Sequence, residues 1–524
     1  MKRTDLFRTW LTLCLLLAVG AATAQEYNVV GKVLCEGKPV AGAVVSDGEQ
    51  ATTTDKTGSY GLHSTKACGY VFLSIPSGYE VKADGAIPRH FVALAGEPVD
   101  RADFELVKTK NDRYTLFVLN DIHLTNTVAQ QDIRQFREKF VPDFRETLRT
   151  TPGKQYGLTL GDMTTDSRWY RNNFGLPEYL KEMEGIPTLP LFHAMGNHDN
   201  DPKGPHALKE WDSVAVKTSR RVVGPNYYSF NLGKVHYVML DNIVYLGPRK
   251  MPNGKTRWDF EVYVDRTQLD WLEQDLRHVK KSTPLVVCMH APLFGCKGLD
   301  DAGRARLYCK FTDEEMAGLL LDRLAGFDKV YLLTGHTHVN RHYVHSKHLS
   351  EHNNIAVAAS SWKLYGEGRR HMAKDGTLGG YAVYRVNGRK VTWSYKALGL
   401  PVDSCQFRVY DLNTVPEQYG GKPGSNEVWI NVFNWDPDWK VTVREKGRKL
   451  PVERIVDYDP LYRCVSEGEV PVTGTAFSPA KTEHLFRVRA AEAASTLEVV
   501  VRDGFGHTWR QTVERPKAFG WEMQ

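Results

Sequence analysis

The sequence predicts an α/β domain that lies between two β-rich segments. Between residues 113 and 399, apolar runs such as YTLFVLND, YGLTLGD and KVYLLTGHTH alternate with helical patterns such as TQLDWLEQDLRHV. This alternation is typical of a domain whose sheets are covered by helices. The flanking segments contain short runs of alternating polarity broken by turn residues, which is typical of antiparallel β-structure.

The 524 residues are enough for more than one domain, and the changes of pattern mark the boundaries. We expect an N-terminal β-sandwich over residues 25–107, the α/β domain over 113–399 and a β-rich accessory domain over 400–524. The stretches GKPVAGAVVSDG and TDKTGSYGL resemble the transthyretin-like module that is often attached to secreted hydrolases. The N-terminal segment is therefore expected to be structural or adhesive.

Residues 1–24 have the three features of a secretory signal peptide. A basic start, MKRTDLFR, is followed by the apolar stretch WLTLCLLLAV and by the ending ATA. The apolar stretch is too short to span a bilayer, which disfavours the alternative of a membrane anchor. We expect cleavage before Gln25, a periplasmic or secreted protein, and no transmembrane segment after the signal is removed.

An oxidising destination permits disulfide bonds between the cysteines that follow the signal peptide. Their spacing suggests that Cys35 pairs with Cys68, Cys296 with Cys309 and Cys405 with Cys464, which leaves Cys288 free. The alternative, that all seven stay reduced, remains open.

The charge balance excludes no small-molecule function but gives no support to nucleic-acid binding. Lys and Arg exceed Asp and Glu by 68 − 62 = 6 over the whole chain, and no basic run stands out. We therefore expect no nucleic-acid partner.

Side chains that can bind metal ions follow five of the strand-like runs. In a sheet of parallel strands, residues beyond the carboxyl ends converge on one crevice. Singly, each motif has an ordinary alternative as a helix cap, a turn or a core histidine, but their joint occurrence favours a metal site. Imidazole, carboxylate and amide donors without thiolate suit zinc, iron or manganese. The motifs are Asp121-Ile122-His123, Gly161-Asp162, Gly196-Asn197-His198-Asp199, His290 and Gly335-His336-Thr337-His338.

This series resembles the signature of the calcineurin-like metallophosphoesterases over Asp121 to His338. The resemblance implies a four-layer αββα sandwich core, flanked here by the two β-rich segments, and two bound divalent ions. It implies that His198 faces the substrate as a catalytic residue instead of binding metal. By the same resemblance, Asp121, His123 and His338 would hold one ion, Asn197, His290 and His336 the other, and Asp162 would bridge both.

The resemblance also implies the chemistry, an in-line attack of a metal-bridging hydroxide on a phosphate monoester or diester. The substrate is expected to be a small-molecule or glycan-linked phosphoester. Arg168, Trp362 and Arg369 are candidate substrate contacts, because arginine and aromatic side chains suit phosphate and a flat or sugar-like leaving group. The alternative is a glycan- or partner-binding protein that keeps the fold without catalysis, and the filled ligand positions favour the enzyme.

One position departs from the family pattern. In several relatives an aspartate three residues after the bridging one orients the substrate-facing histidine, but Thr165 occupies that position here. The next residue, Asp166, is a carboxylate, and so is Asp199. The sequence leaves open whether Asp166, Asp199 or neither orients His198.

Overall fold

The structure is a computed structural model that describes residues 26–127, 130–186, 189–203, 211–362, 371–467, 477–520 and 523. The predicted signal peptide lies outside these residues. Within them, no helix combines the length and the apolar character that a bilayer span requires.

The N-terminal segment folds into two sheets, as expected for a β-sandwich. One sheet has the order β11-β1-β12-β7 with β2 and β5 also paired to β1, the other has the order β10-β6-β3-β4, and β8 pairs with β9. The likeness to transthyretin stays a prediction. The strands are β1 (Val29–Cys35), β2 (Lys38–Pro39), β3 (Val44–Ser46), β4 (Ala51–Thr53), β5 (Ser59–Leu62), β6 (Tyr70–Ser74), β7 (Tyr79–Val81), β8 (Ala83–Asp84), β9 (Ile87–Pro88), β10 (Phe91–Ala93), β11 (Asp100–Arg101) and β12 (Phe104–Lys108).

The core contains a five-stranded sheet of order β15-β14-β13-β26-β27 and a six-stranded sheet of order β16-β17-β20-β23-β25-β24. Two hairpins, β18-β19 and β21-β22, extend from it. The strands are β13 (Arg113–Val118), β14 (Lys154–Thr159), β15 (Leu191–His193), β16 (Tyr228–Leu232), β17 (Val235–Met239), β18 (Ile243–Lys250), β19 (Thr256–Val262), β20 (Leu285–Cys288), β21 (Phe294–Leu299), β22 (Ala305–Cys309), β23 (Val330–Thr334), β24 (Arg341–Val344), β25 (Leu349–Asn353), β26 (Gly380–Asn387) and β27 (Lys390–Ala397).

Helices cover the outer faces of both core sheets, which gives the four-layer αββα sandwich. On β13, Phe117 packs against Phe144 of an outer helix, whereas Leu116 and Val118 belong to the core shared by the two sheets. Burial on both faces explains why this strand is apolar throughout instead of alternating. The core helices are Gln131–Gln135, the π-helix Phe136–Phe140, Val141–Thr150, the 3₁₀ turn Asp166–Arg168, Trp169–Asn172, Leu176–Met183, Asp212–Val223, Arg266–Leu276 and Glu314–Leu324.

The described residues of the C-terminal segment form two four-stranded sheets, the 3₁₀ turn Glu417–Tyr419 and the α-helix Pro460–Glu467. The sheet orders are β28-β29-β33-β32 and β31-β30-β34-β35, so the segment is β-rich as the sequence predicts. The strands are β28 (Phe407–Asp411), β29 (Glu427–Val432), β30 (Lys440–Glu445), β31 (Arg448–Lys449), β32 (Glu453–Tyr458), β33 (Lys481–Arg489), β34 (Thr496–Arg502) and β35 (Thr508–Glu514).

None of the seven described cysteines forms a disulfide bond in this structure, so the suggested disulfide pairing is wrong here. The hairpin β21-β22 gives a physical reason for one pair. In its register Cys296 faces Leu307, and Cys309 faces Phe294, so the two thiols are not directly opposite each other.

Phe230 joins the two core sheets, and its loss should destabilise the protein. Its ring is fully buried and stacks on Phe192 of the five-stranded sheet at 3.7 Å between centroids, and on Tyr237 at 5.1 Å. Because truncation leaves a cavity, Phe230→Ala should lower the free energy of unfolding by about 3–5 kcal/mol, measured by denaturant titration. Val344→Ala, at a half-exposed position, should change it by less than about 0.5 kcal/mol. Equal effects of the two substitutions would contradict this assignment.

Candidate metal centre

The seven predicted metal ligands all lie just beyond the carboxyl ends of core strands. The strands β13, β14 and β15 run parallel within one sheet, and β20 and β23 run parallel within the other. Their ends meet at one edge of the sandwich, which is the arrangement expected from the sequence. Asp121 and His123 follow β13, Asp162 follows β14, Asn197 follows β15, His290 follows β20, and His336 and His338 follow β23.

A first group of potential ligand atoms comes from Asp121, His123 and His338. The Nε2 atoms of the two histidines are 2.9 Å apart, and His338 Nε2 is 3.4 Å from Asp121 Oδ1. That carboxylate oxygen is buried and has no hydrogen-bond partner among the described residues. An unpartnered buried oxygen that faces two imidazole nitrogens is the environment that a cation would satisfy.

A second group surrounds His290 Nε2. Asn197 Oδ1 and His336 Nδ1 each lie 3.0 Å from this nitrogen, and Asp162 Oδ2 lies 3.3 Å from it. The same Asp162 oxygen is 3.6 Å from His123 Nε2 of the first group. Asp162 therefore stands between the two groups, where an anionic oxygen can serve both.

Hydrogen bonds on the far side of two imidazole rings fix which nitrogen is free. His338 Nδ1 lies 2.7 Å from the Ala359 carbonyl, and His290 Nδ1 lies 2.7 Å from the Leu160 carbonyl. A carbonyl only accepts, so Nδ1 carries the proton in both rings and Nε2 faces the centre. Metal-binding histidines are commonly held in this way.

The pKa shifts of three of the four predicted histidine ligands favour the neutral form that binds metal. Burial lowers the pKa of His123, His336 and His338, which favours the neutral imidazole that a metal requires. Burial also lowers the pKa of His290, but the Asp162 carboxylate outweighs it and raises that pKa to about 9. A proton on His290 and a metal ion would therefore compete for one nitrogen.

At five of these predicted ligands the backbone adopts a conformation that residues other than glycine rarely adopt. Asp121, His123, Asp162, His336 and His338 have φ between 51° and 67°, in the left-handed region. Each costs on the order of 1 kcal/mol for a residue with a Cβ atom. Such costs concentrate at functional sites, where the surrounding structure holds the residue in place.

His198 lies close to His123 and Asp162, and a carboxylate fixes the orientation of its ring. Its Nδ1 is 2.8 Å from Asp166 Oδ1, and Tyr245 donates its hydroxyl to the other Asp166 oxygen at 2.6 Å. Burial lowers the pKa of His198, but the charges of Asp162 and Asp166 outweigh it and raise the pKa to about 9. Metal ions bound to Asp162 would cancel the effect of this carboxylate on the pKa of His198, whereas the hydrogen bond from His198 to Asp166 would remain. Tyr245 carried no signal in the sequence that pointed to this role.

Asp199 has a different task from Asp166. Its Oδ1 accepts from the backbone N–H groups of Met163 and Thr164, and its Oδ2 accepts from that of Gly196. It therefore braces the two loops that carry Asp162 and Asn197. Of the two carboxylates that the sequence left open as partners of His198, the structure brings Asp166 to the ring.

Two of the three predicted substrate contacts line a cavity of about 370 Å³, which is also lined by five of the seven predicted metal ligands: His123, Asp162, Asn197, His336 and His338. Arg168 forms part of its wall. Trp362 is only 1% exposed and donates its indole N–H to the Ile122 carbonyl at 2.6 Å, so it supports the wall and offers little surface for stacking. Arg369 lies outside the described residues.

A wider groove of about 970 Å³ runs beside the helix Val141–Thr150 and the end of β27. None of the metal-binding residues lines it, and Lys396 within it is already paired with Asp143 at 2.6 Å. The smaller cavity is therefore the better candidate for the active site.

A further group of possible ligands, His342, His352 and Asp436, does not have the geometry of a metal site. The two imidazole rings stack with centroids 4.3 Å apart and planes 17° apart. An ion binds in the plane of an imidazole ring, and two nearly parallel planes at this separation do not meet at one point. The stacked pair is better explained by packing across β24 and β25.

Three family models match successive parts of the chain. The model for the N-terminal part of calcineurin-like phosphoesterases matches residues 27–109, the calcineurin-like phosphoesterase model matches 114–340, and the model for the C-terminal part matches 351–509. The chain therefore belongs to the calcineurin-like phosphoesterases, a family of metal-dependent phosphoester hydrolases. No curated protein matches the chain.

Solved structures with related folds include three phosphatases or nucleotidases. A dimetal phosphatase from Danio rerio is 13% identical, with 54% of this chain and 96% of that chain covered and a TM-score of 0.36. A purple acid phosphatase from yellow lupin (Lupinus luteus) is 11% identical, with 55% and 52% covered and a TM-score of 0.35. A 5'-nucleotidase from Candida albicans is 12% identical, with 55% and 51% covered and a TM-score of 0.29. These similarities are too low to indicate a substrate.

Asp162→Asn should reduce metal binding more than the loss of any other single carboxylate at the site. Since Asp162 contacts both groups, metal affinity should fall by more than the roughly 10–100-fold that an outer-sphere partner contributes. Metal content after dialysis measures this loss. Asp143→Asn, which removes a carboxylate paired with Lys396 outside the cavity, should leave metal content unchanged. Normal metal content in Asp162→Asn would contradict the shared position.

Proposed function

We propose that the chain is an exported phosphoesterase with two divalent metal ions that hydrolyses a phosphate monoester or diester. The observation that carries the proposal is the pair of ligand groups side by side, with Asp162 between them and His198 at the same cavity. Family membership supports the hydrolysis of a phosphoester. Export rests on the signal-like pattern of residues 1–24 alone and would deliver the protein to the periplasm or beyond the cell.

The donor set supports zinc, iron or manganese. Asp121, His123 and His338 would hold one ion, with Asp162 shared. Asn197, His290 and His336 would hold the other. When bound, the two ions would supply Lewis-acid polarisation of the phosphoryl group and activation of a water molecule for in-line displacement.

The residues of the chain supply charge and orientation. The Asp162 carboxylate would reduce the repulsion between two nearby cations, since it can place an anionic oxygen against both. The Asn197 amide offers an oxygen without charge, which keeps the centre cationic enough to attract a phosphoester. The Asp162 side chain also accepts a hydrogen bond from the backbone N–H of His198 at 2.8 Å, so this proposed metal ligand also helps to position the proposed catalytic residue.

His198 would act as the proton donor to the leaving oxygen. Asp166 contacts its Nδ1, so the other ring nitrogen can hold a proton for transfer into the cavity. Tyr245 restricts the Asp166 carboxylate, which in turn keeps the imidazole in one orientation. In this proposal His198 is a proton donor beside the metal-binding groups and is not itself a ligand.

Hydrolysis of model esters tests the function. The purified protein, reconstituted with zinc, manganese or iron, should hydrolyse p-nitrophenyl phosphate or bis-p-nitrophenyl phosphate. The ratio of the two rates would distinguish a monoesterase from a diesterase. A chelator should abolish activity, and added metal should restore it, because the chain alone lacks an equivalent Lewis acid.

Asp162→Asn serves as the matched negative control in the same assays. Hydrolysis that survives both this substitution and chelation would come from a contaminant. A protein that binds about two metal ions but hydrolyses none of these or a wider panel of phosphoesters would favour the alternative, a binding protein that retains the fold.

His198→Ala should separate catalysis from metal binding. Loss of a positioned proton donor should lower kcat by about 10²–10⁴-fold, while metal content stays at the wild-type level. His345→Ala, at an exposed histidine outside the cavity, should leave both unchanged. A metal-depleted His198→Ala protein would show that His198 is a ligand and would overturn its assigned role.

A further inference from the structure

The wall of the active-site cavity includes two residues that the metal-binding motifs do not contain. Lys374 and Phe477 line the same cavity as His198 and His338. Lys374 follows the metal-binding motifs in a loop before β26, and Phe477 belongs to the region matched by the C-terminal family model. Neither residue carries an assigned role.

Lys374 is a half-buried cation that has no anionic partner among the described residues. No carboxylate of these residues lies within 4.0 Å of its ammonium group, which is 5.4 Å from the centroid of the Phe477 ring. Lys396 and Lys66, two other lysines with little exposure, pair with aspartates at 2.6 and 2.7 Å. Burying a cation costs free energy unless an anion lies close to it. An anionic ligand bound in the cavity would therefore offset the cost of burying the Lys374 ammonium group.

The position of Lys374 is held by its neighbour Asp375. The fully buried Asp375 carboxylate accepts from the backbone N–H groups of Asn340 and Thr377 at 3.0 Å, and it lies 3.1 Å from His484 Nε2. Asn340 is two residues beyond the predicted ligand His338, and His484 is on β33 of the C-terminal segment. The loop is therefore tied both to the metal centre and to the C-terminal β-structure.

Burial, with a smaller effect of Arg341, lowers the pKa of Lys374, although the carboxylates of Asp375 and Asp121 act in the opposite direction, so its ammonium group lies where positive charge is disfavoured.

Phe477 offers an aromatic surface next to this cation. Its ring is 46% exposed, and its centroid is 6.0 Å from that of His338. Large aromatic side chains usually bury their surface, and an exposed one in the wall of a cavity is suited to contact a ligand. A planar group bound beside the metal centre would cover this ring.

We propose that Lys374 binds a phosphoryl oxygen of the substrate and that Phe477 contacts a planar, aromatic leaving group. The proposal rests on the proposed function and adds to it a substrate class, the phosphoesters of aromatic or heteroaromatic alcohols. It also assigns the C-terminal segment a part in substrate selection.

Phosphate binding and ester hydrolysis together test the role of Lys374. In Lys374→Gln, the Ki for inorganic phosphate and the KM for p-nitrophenyl phosphate should each rise about tenfold, the scale of one charge-assisted hydrogen bond. Metal content and the melting temperature should stay at wild-type values. Lys374→Arg should keep much of the affinity because it retains the charge. Lys281→Gln, at an exposed lysine over the Phe327 ring at 3.9 Å and outside the cavity, should change nothing.

Two esters with different leaving groups test the role of Phe477. Phe477→Ala should lower kcat/KM for p-nitrophenyl phosphate about fivefold, the scale of one aromatic contact, and leave that for glycerol 2-phosphate nearly unchanged. Tyr27→Ala, at an exposed aromatic residue of the N-terminal segment, is the matched control. Equal losses on the aryl and alkyl esters would overturn the assignment of Phe477.

Failure of the inference can be told apart from failure of the proposed function. An active wild-type enzyme whose Ki for phosphate is unchanged in Lys374→Gln would overturn the role of Lys374 alone. If the wild type hydrolyses no ester, the proposed function fails. Calorimetric titration of the metal-loaded protein with inorganic phosphate would then still decide whether Lys374 binds this anion.

Discussion

The crowding of lone pairs at one edge of the sandwich is the constraint on which the rest of the site depends. His290 Nε2 faces the Asn197 oxygen, the Asp162 carboxylate and His336 Nδ1, all within 3.3 Å. Atoms that all accept repel one another unless a proton or a metal ion stands between them. The fold holds this arrangement through hydrogen bonds outside the centre and through backbone conformations that are costly by themselves.

The core fold and the convergence of the candidate ligands could be predicted from the sequence for a topological reason. Asp121 and His338 are more than 200 residues apart, yet both follow strands whose carboxyl ends share one edge of the sandwich. Strand ends can be recognised from apolar runs, and the convergence of those ends follows from parallel pairing. Candidate metal-binding residues could therefore be recognised one motif at a time, whereas their division between two ions came from the family resemblance.

The sequence could not supply contacts that depend on side-chain direction. Asp166 and Asp199 are equally acidic, and only the folded loops show that Asp166 reaches His198 while Asp199 holds backbone N–H groups. Trp362 was a reasonable candidate for substrate stacking, but its indole faces the Ile122 carbonyl and its surface is buried. Spacing alone likewise suggested cysteine pairs, although the strand register sets Cys296 opposite Leu307.

The contribution of the C-terminal segment to the cavity wall also could not be predicted from the sequence. It depends on contacts between the core and this segment, and the motifs of either region do not reveal such contacts. The Asp375 carboxylate links the loop after the metal-binding motifs to His484 of β33, and Phe477 enters the cavity wall from the same segment. Metal binding uses residues of the core alone, whereas the proposed contacts to the leaving group use this junction. Substitutions at the junction could therefore alter which ester is accepted while the metal ligands, and the reaction they support, stay in place.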